Sequence, residues 1–230
     1  MLVEEFSTRL NNFEMIQANT DGVTVIVDSD QVELMNQIVK EWEELTKLEM
    51  ECVVYNKMIL RDVNSYIAVG VDGSIKRKGA YEYDGLGWHQ NHSALVIKKA
   101  TERHLVYGED YVEYIKNHKD EFDFMLRVRV PRNSKLVLVK EDVYGDIESE
   151  EELQNICRYY PNVNGGKLVK LMPPLKGEVS DENPWRRLGI DTAWNVEPCN
   201  DMSQFCWSKL NYDYYIKEAE KLIDILQEIE

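Results

Sequence analysis

The stretch Ile16-Gln17-Ala18-Asn19-Thr20-Asp21-Gly22-Val23-Thr24-Val25-Ile26-Val27 decides how the first part of the chain is read. Asn, Asp and Gly tolerate tight backbone geometry, and Asn and Asp side chains hydrogen-bond to nearby backbone, so Asn19 to Gly22 reads as a turn. The β-branched run at 23–27 reads as a strand. The stretch therefore predicts a hairpin with Asp21 at a polar tip above an apolar support. Residues 3–10 read as a short helix and 15–17 as the first strand. Downstream, Asp28-Ser29-Asp30 offers N-cap oxygens to a helix. Met35, Ile38, Val39, Trp42, Leu45 and Leu48 form its apolar stripe, expected to pack on the sheet.

Residues 52–79 alternate as strands do. Asp72-Gly73 supplies a hairpin turn between Tyr66-Ile67-Ala68-Val69 and Ile75-Lys76-Arg77-Lys78. After Asp84-Gly85-Leu86-Gly87, helical periodicity is expected over 89–107, 110–126 and 212–229. The region between, with Gly165-Gly166, Pro173-Pro174 and Pro184, reads as loop-rich, and the acidic run 148–152 as a solvated helix start. The expected class is α+β: an antiparallel sheet with a packed helix over 1–84, then a mainly helical region over 85–230.

With 230 residues, 43% of them hydrophobic, the chain can bury a core. No apolar run reaches the length of about 18 residues needed to span a membrane, and no export signal is evident. The expectation is a cytoplasmic protein with no membrane partner. Cys52, Cys157, Cys199 and Cys206 form no C-x-x-C pair, so neither zinc ligation nor a disulfide framework is suggested.

A net charge of -15 argues against nucleic-acid binding until its distribution is seen. Residues 1–55 hold 3 basic against 12 acidic residues, 56–140 hold 15 against 11, and 141–230 hold 9 against 19. A basic middle between acidic ends suits a nucleic-acid groove on an otherwise acidic protein, although ordinary solvated faces produce the same counts.

Asp21 on a rigid hairpin tip suits a hard cation such as Mg²⁺, which takes only one or two protein carboxylates alongside phosphates and water. Taken alone, Asn-Thr-Asp-Gly is a generic turn. Tyr66 with Lys76, Arg77, Lys78 and Gly79 could hold a phosphodiester backbone closely without reading bases, or form an exposed hairpin with solubilising lysines. His89 and His92 lack a third ligand, and zinc is not predicted. Further cations are Lys98, Lys99, Arg103, Arg127, Arg129, Arg132 and Lys135, with Arg158-Tyr159-Tyr160 and Trp185-Arg186-Arg187 later. No phosphate loop or nucleophile elbow is present.

In order, the short helix, Asn-Thr-Asp-Gly, the apolar strand, the amphipathic helix, Arg61-Asp62-Val63-Asn64-Ser65-Tyr66 and Lys76-Arg77-Lys78-Gly79 resemble family B DNA polymerases of the phage type. The resemblance runs along essentially the whole chain and is best from Ile16 to Arg132. It implies the C-terminal half of a palm followed by a thumb. The family's Y-x-D-T-D-[SG] turn matches at Thr20, Asp21 and Gly22, which implies Asp21 as the catalytic metal ligand. Asn19 stands where the family has its first aspartate, and Gln17 where it has tyrosine. The K-x-Y element matches only at Tyr66, and the [KR]-G element at Lys78-Gly79, implying primer contacts by Tyr66, Lys76, Arg77, Lys78 and Gly79. Arg127, Arg129 and Arg132 would grip duplex in the thumb.

The family's D-x-x-S-L-Y-P, fingers and exonuclease motifs are absent from this chain. Two-metal nucleotidyl transfer needs carboxylates from both sides of the ions, and this chain supplies one. The resemblance thus implies a DNA-directed DNA polymerase portion acting on primer-template with two Mg²⁺. An N-terminal polymerase chain would supply the remaining palm and the fingers, with or without the exonuclease, in a phage-infected or bacterial cytoplasm. The alternative is a non-catalytic DNA-binding or interaction protein derived from a polymerase thumb.

Overall fold

The computed structural model describes residues 2–20, 22–87, 92–174, 185–190 and 193–224. The chain forms two units, Met1–Ala80 and Tyr81–Glu230. It is α+β, with antiparallel strand pairing throughout.

In the first unit, α1 (Leu2–Arg9) precedes an antiparallel pair, β1 (Glu14–Ala18) and β2 (Val23–Ile26), as the turn and β-branched run predict. Next comes α2 (Val32–Thr46). Leu2, Phe6, Leu10 and Ile38 are buried together, with Val23, Val25, Met35 and Trp42 packed on them. Burial of several such side chains, each worth about 2 kcal/mol, holds both helices to the hairpin. Arg9 Nη1 reaches Glu41 Oε2 at 2.6 Å and ties α1 to α2 at the surface.

Two local expectations are corrected. Asp28 does not cap α2: a 3-10 turn at Ser29–Gln31 intervenes, and the Asp28 carboxylate accepts from Asn12 Nδ2 at 2.8 Å instead. The apolar stripe also stops short. Lys47 takes a left-handed conformation (φ 62°), ending the helix, and Leu45 and Leu48 are exposed. A three-stranded meander of β3 (Tyr55–Asp62), β4 (Ser65–Gly70) and β5 (Ile75–Lys78) completes the unit. Its β4–β5 turn is the expected one, with Gly73 at φ 81°.

The second unit begins with α3 (Leu95–Tyr107) and α4 (Tyr111–Asn117). Asp110 caps α4 by accepting from the Val112 and Glu113 N–H groups. The expected continuation of that helix to 126 fails, because Asp120 starts a 3-10 turn at Glu121–Phe124 and the chain then extends.

The expectation of a mainly helical region is likewise corrected. Among the described residues six strands follow: β6 (Leu126–Arg129), β7 (Lys135–Glu141), β8 (Ile147–Leu153), β9 (Ile156–Met172), β10 (Arg186–Gly189) and β11 (Val196–Pro198). α5 (Tyr212–Asp224) closes the unit. The acidic run is therefore strand β8, every residue of it exposed except Leu153, an arrangement that suits solvated glutamates on an edge strand.

Long β9 organises this sheet. Its first half pairs with β6 and β11, its second half with β7 and β10. Gly165 and Gly166, which suggest a loop in sequence, lie inside it. A Cβ at Gly165 would meet the Val196 backbone, and one at Gly166 the Val139 carbonyl at 2.7 Å. Glycine is needed here for close backbone approach rather than for a turn. Below the sheet, Phe124 packs edge-on against Trp207, Tyr212 and Tyr215, and Tyr215 Oη donates to the Phe124 carbonyl at 2.5 Å.

Candidate nucleic-acid interface

The turn between β1 and β2 is closed twice by the same pair of residues. The Asn19 N–H donates to the Gly22 carbonyl at 2.9 Å, and the Gly22 N–H donates to the Asn19 side-chain oxygen at 2.8 Å. Asn19 and Thr20 are exposed, as is Gly22, whose Cβ position is open. Asp21, the expected metal ligand, lies outside the described residues. Gln17, where the family has tyrosine, donates from Nε2 to Thr24 Oγ1 at 3.4 Å across the hairpin. Among the described residues no group of three or more His, Cys, Asp or Glu side chains could hold a metal ion. The Asn19 carboxamide oxygen is engaged by the turn, so a cation here would depend on Asp21 and on ligands from elsewhere.

The β4–β5 hairpin sorts the second set of residues by face. Tyr66 pairs with Lys78 and Ala68 with Lys76. Paired residues of an antiparallel ladder project to one face, so Tyr66, Lys76 and Lys78 stand together. Arg77 pairs with Ile67 and projects to the other face, since side chains alternate along a strand. Of the three cations named here from sequence, the structure brings Lys76 and Lys78 to the face of Tyr66 but not Arg77.

Lys76 Nζ lies 3.5 Å from Tyr55 Oη. Desolvation opposes its charge, but the Tyr66 and Tyr55 oxygens outweigh that and hold the ammonium above its ordinary value. Tyr55, which the sequence reading passed over, is brought there by the β3–β4 pairing that opposes it to Gly70. The signal in sequence is faint, because a bulge between Tyr55 and Lys57 breaks simple alternation. Gly79 has φ 60°, and a Cβ there would collide with the Asn64 carbonyl oxygen. Its conformation is what lets the chain turn off β5 across the start of β4.

In the second unit, several cations named from sequence are committed internally. Lys98 Nζ donates to the Glu82 carbonyl at 2.7 Å, Lys99 pairs with Asp123 at 2.6 Å, and Arg103 with Glu109 at 3.1 Å. Lys135 pairs with Glu152 and Arg187 with Glu150. Tyr159 and Tyr160, beside Arg158 in sequence, are buried in the core. A concavity of about 240 Å³ on the sheet is lined by Glu141, Lys167, Arg187 and Trp194 among others. Its two cations are each matched by a glutamate, so it presents no free positive charge.

Arg127, Arg129 and Arg132 differ from these. Among the described residues none of them meets a carboxylate. Arg127 and Arg129 lie on one face of β6, half-exposed and exposed, and Arg132 is exposed in the turn that follows. His92 donates from Nε2 to the Gly87 carbonyl at 3.2 Å, while His89 lies outside the described residues.

No protein-family model matches the chain, and no characterised protein shows significant similarity to it. Among the described residues no helix is long and apolar enough to cross a membrane.

Proposed function

We propose that this chain is a palm and thumb portion of a family B DNA polymerase that works on primer-template DNA, completed by a second polypeptide. The observation that carries the reading is the pairing of half-buried Tyr66 with exposed Lys78, with exposed Lys76 on the same face and the Gly79 turn immediately after. Two ammonium groups and an aromatic hydroxyl on a rigid sheet suit a sugar-phosphate backbone held without base recognition. The Asn19–Gly22 turn, closed by two hydrogen bonds on an antiparallel pair, adds support, since it is the turn that the resemblance matches. Asp21 would hold Mg²⁺ together with carboxylates of the partner chain, and the ions would stabilise charge on the transferring phosphoryl group. Among the described parts, Arg127, Arg129 and Arg132 are cations free to meet DNA in the second unit.

The test is primer extension with Mg²⁺ and deoxynucleotides, mixing this chain with a polypeptide that carries the missing family motifs. Extension that needs both chains and disappears with Asp21→Ala is the expected result. Tight association without extension would instead identify a non-catalytic DNA-binding derivative, and Asn19 would be the residue to revert. Absence of both association and DNA binding would overturn the polymerase reading.

A further inference from the structure

Arg127 on β6 and Arg158 on β9 are directly opposed in the antiparallel ladder. Like charges directly opposite on a sheet repel, because their Cβ atoms are only about 5 Å apart. Both are half-buried, and among the described residues neither has a carboxylate partner. Scarcity of acid does not explain this, since the chain carries 42 Asp and Glu against 27 Lys and Arg. Elsewhere in the unit Lys99, Arg103, Lys135, Lys167 and Arg187 each pair with one.

The Arg158 side chain is also held in place. Its guanidinium lies 4.3 Å from the Phe122 ring centroid, and Nη1 donates to the His92 carbonyl at 3.3 Å. Its backbone N–H donates to Asn200 Oδ1 at 2.8 Å. Burial, with Arg127 next to it, holds Arg158 below the ordinary arginine value, the sign of a site whose charge is not offset. A fixed guanidinium on a residue directly opposed to a second arginine, with no carboxylate on either among the described residues, makes a preorganised anion receptor, and the guanidinium fork matches oxyanions bidentately.

We propose that Arg127 and Arg158 cradle one phosphate group of a nucleic-acid backbone. Arg129 stands on the same face two residues along β6, a step of about 6.8 Å. A row of this kind follows a ligand with repeating charge, whereas a free phosphate ion would occupy only the first position. The proposal rests on the nucleic-acid reading above and names a contact within it that involves Arg158.

The experiment uses the full chain. Binding to fluorescent primer-template DNA is followed by anisotropy over a salt series for wild type, Arg127→Gln, Arg158→Lys and Lys78→Gln, the last lying in the other unit. Thermal midpoints are measured in chloride and in inorganic phosphate at matched ionic strength. Arg127→Gln should bind several-fold more weakly, with a slope of log affinity on log salt shallower by about 1. Its midpoint without phosphate should equal or exceed wild type, because a repulsion is removed, and a merely structural arginine would not behave so. Arg158→Lys keeps the charge but loses the fork, and should also weaken binding. Wild-type affinity and slope in both arginine variants, with Lys78→Gln weakened, would overturn the cradle and leave the DNA reading standing. If phosphate stabilises wild type but not Arg127→Gln while DNA does not bind, the site takes free phosphate and the nucleic-acid assignment is overturned. If neither ligand acts on wild type, both the cradle and the DNA reading fall.

Discussion

Asn19 and Gly22 bind each other through two hydrogen bonds, one of them from the Gly22 N–H to the Asn19 side chain at 2.8 Å. Asn19, one of the two departures from the polymerase turn pattern, is thus the residue that staples the turn. Asn19→Ala should cost about 1 kcal/mol in urea unfolding, the worth of one such bond. Asn19→Asp keeps the acceptor and should fold with stability within about 0.5 kcal/mol of wild type. Equal stability of all three proteins would show that the staple contributes nothing.

Gly79 and Gly73 both have positive φ, at 60° and 81°, yet their surroundings differ. A Cβ at Gly73 meets open space, whereas at Gly79 it strikes the Asn64 carbonyl. Gly73→Ala should cost about 1 kcal/mol, the left-handed penalty alone. Gly79→Ala should cost clearly more, about 3 kcal/mol, because the backbone must also shift. Thermal unfolding of the two variants side by side checks the order, and a reversed order would contradict the geometry.

Asp123 is buried and receives both Lys99 Nζ at 2.6 Å and His118 Nε2 at 2.5 Å, joining α3, the end of α4 and the turn before β6. Desolvation pushes its carboxyl up, but the hydrogen bonds and charges of His118 and Lys99 outweigh this and hold it below the ordinary carboxylate value. A depressed folded pKa means that this stabilisation is complete above the unfolded value of about 3.9 and is lost as pH falls through the folded one. Asp123→Asn should therefore destabilise by about 3 kcal/mol at neutral pH. The gap from wild type should shrink in acid-unfolding measurements below about pH 4. A gap that stays constant with pH would remove the ion pairs as its cause.

The cysteines should separate by reactivity. Burial pushes the Cys157 thiol up to about 11, and burial also raises Cys199. The Ser208 hydroxyl lowers Cys206, and Cys52 is exposed. Alkylation at neutral pH should label Cys52 and Cys206 quickly and leave Cys157 and Cys199 unmodified until unfolding, since the thiolate is the reactive form. Mass spectrometry of the labelled native chain reads this directly, and early labelling of Cys157 would contradict its burial.

The amino-acid sequence by itself determined the elements whose causes are local. The β1–β2 hairpin followed from turn residues beside a β-branched run, the β4–β5 hairpin from Asp72-Gly73, and α2 and α5 from apolar residues at helical spacing. The residues carrying the Tyr66 and Lys78 pairing were likewise legible, because a short turn sets the register across it. Only the tertiary structure decided the rest. The sheet of the second unit was hidden because β9 meets partners far away in sequence, and its Gly165-Gly166 pair serves a close approach to Val196 and Val139 that no local pattern encodes. The same distance kept Arg127 and Arg158 apart in sequence. Their opposition, and the lack of a carboxylate partner among the described residues, exists only once β6 lies against β9, because charge acts through space and not along the chain.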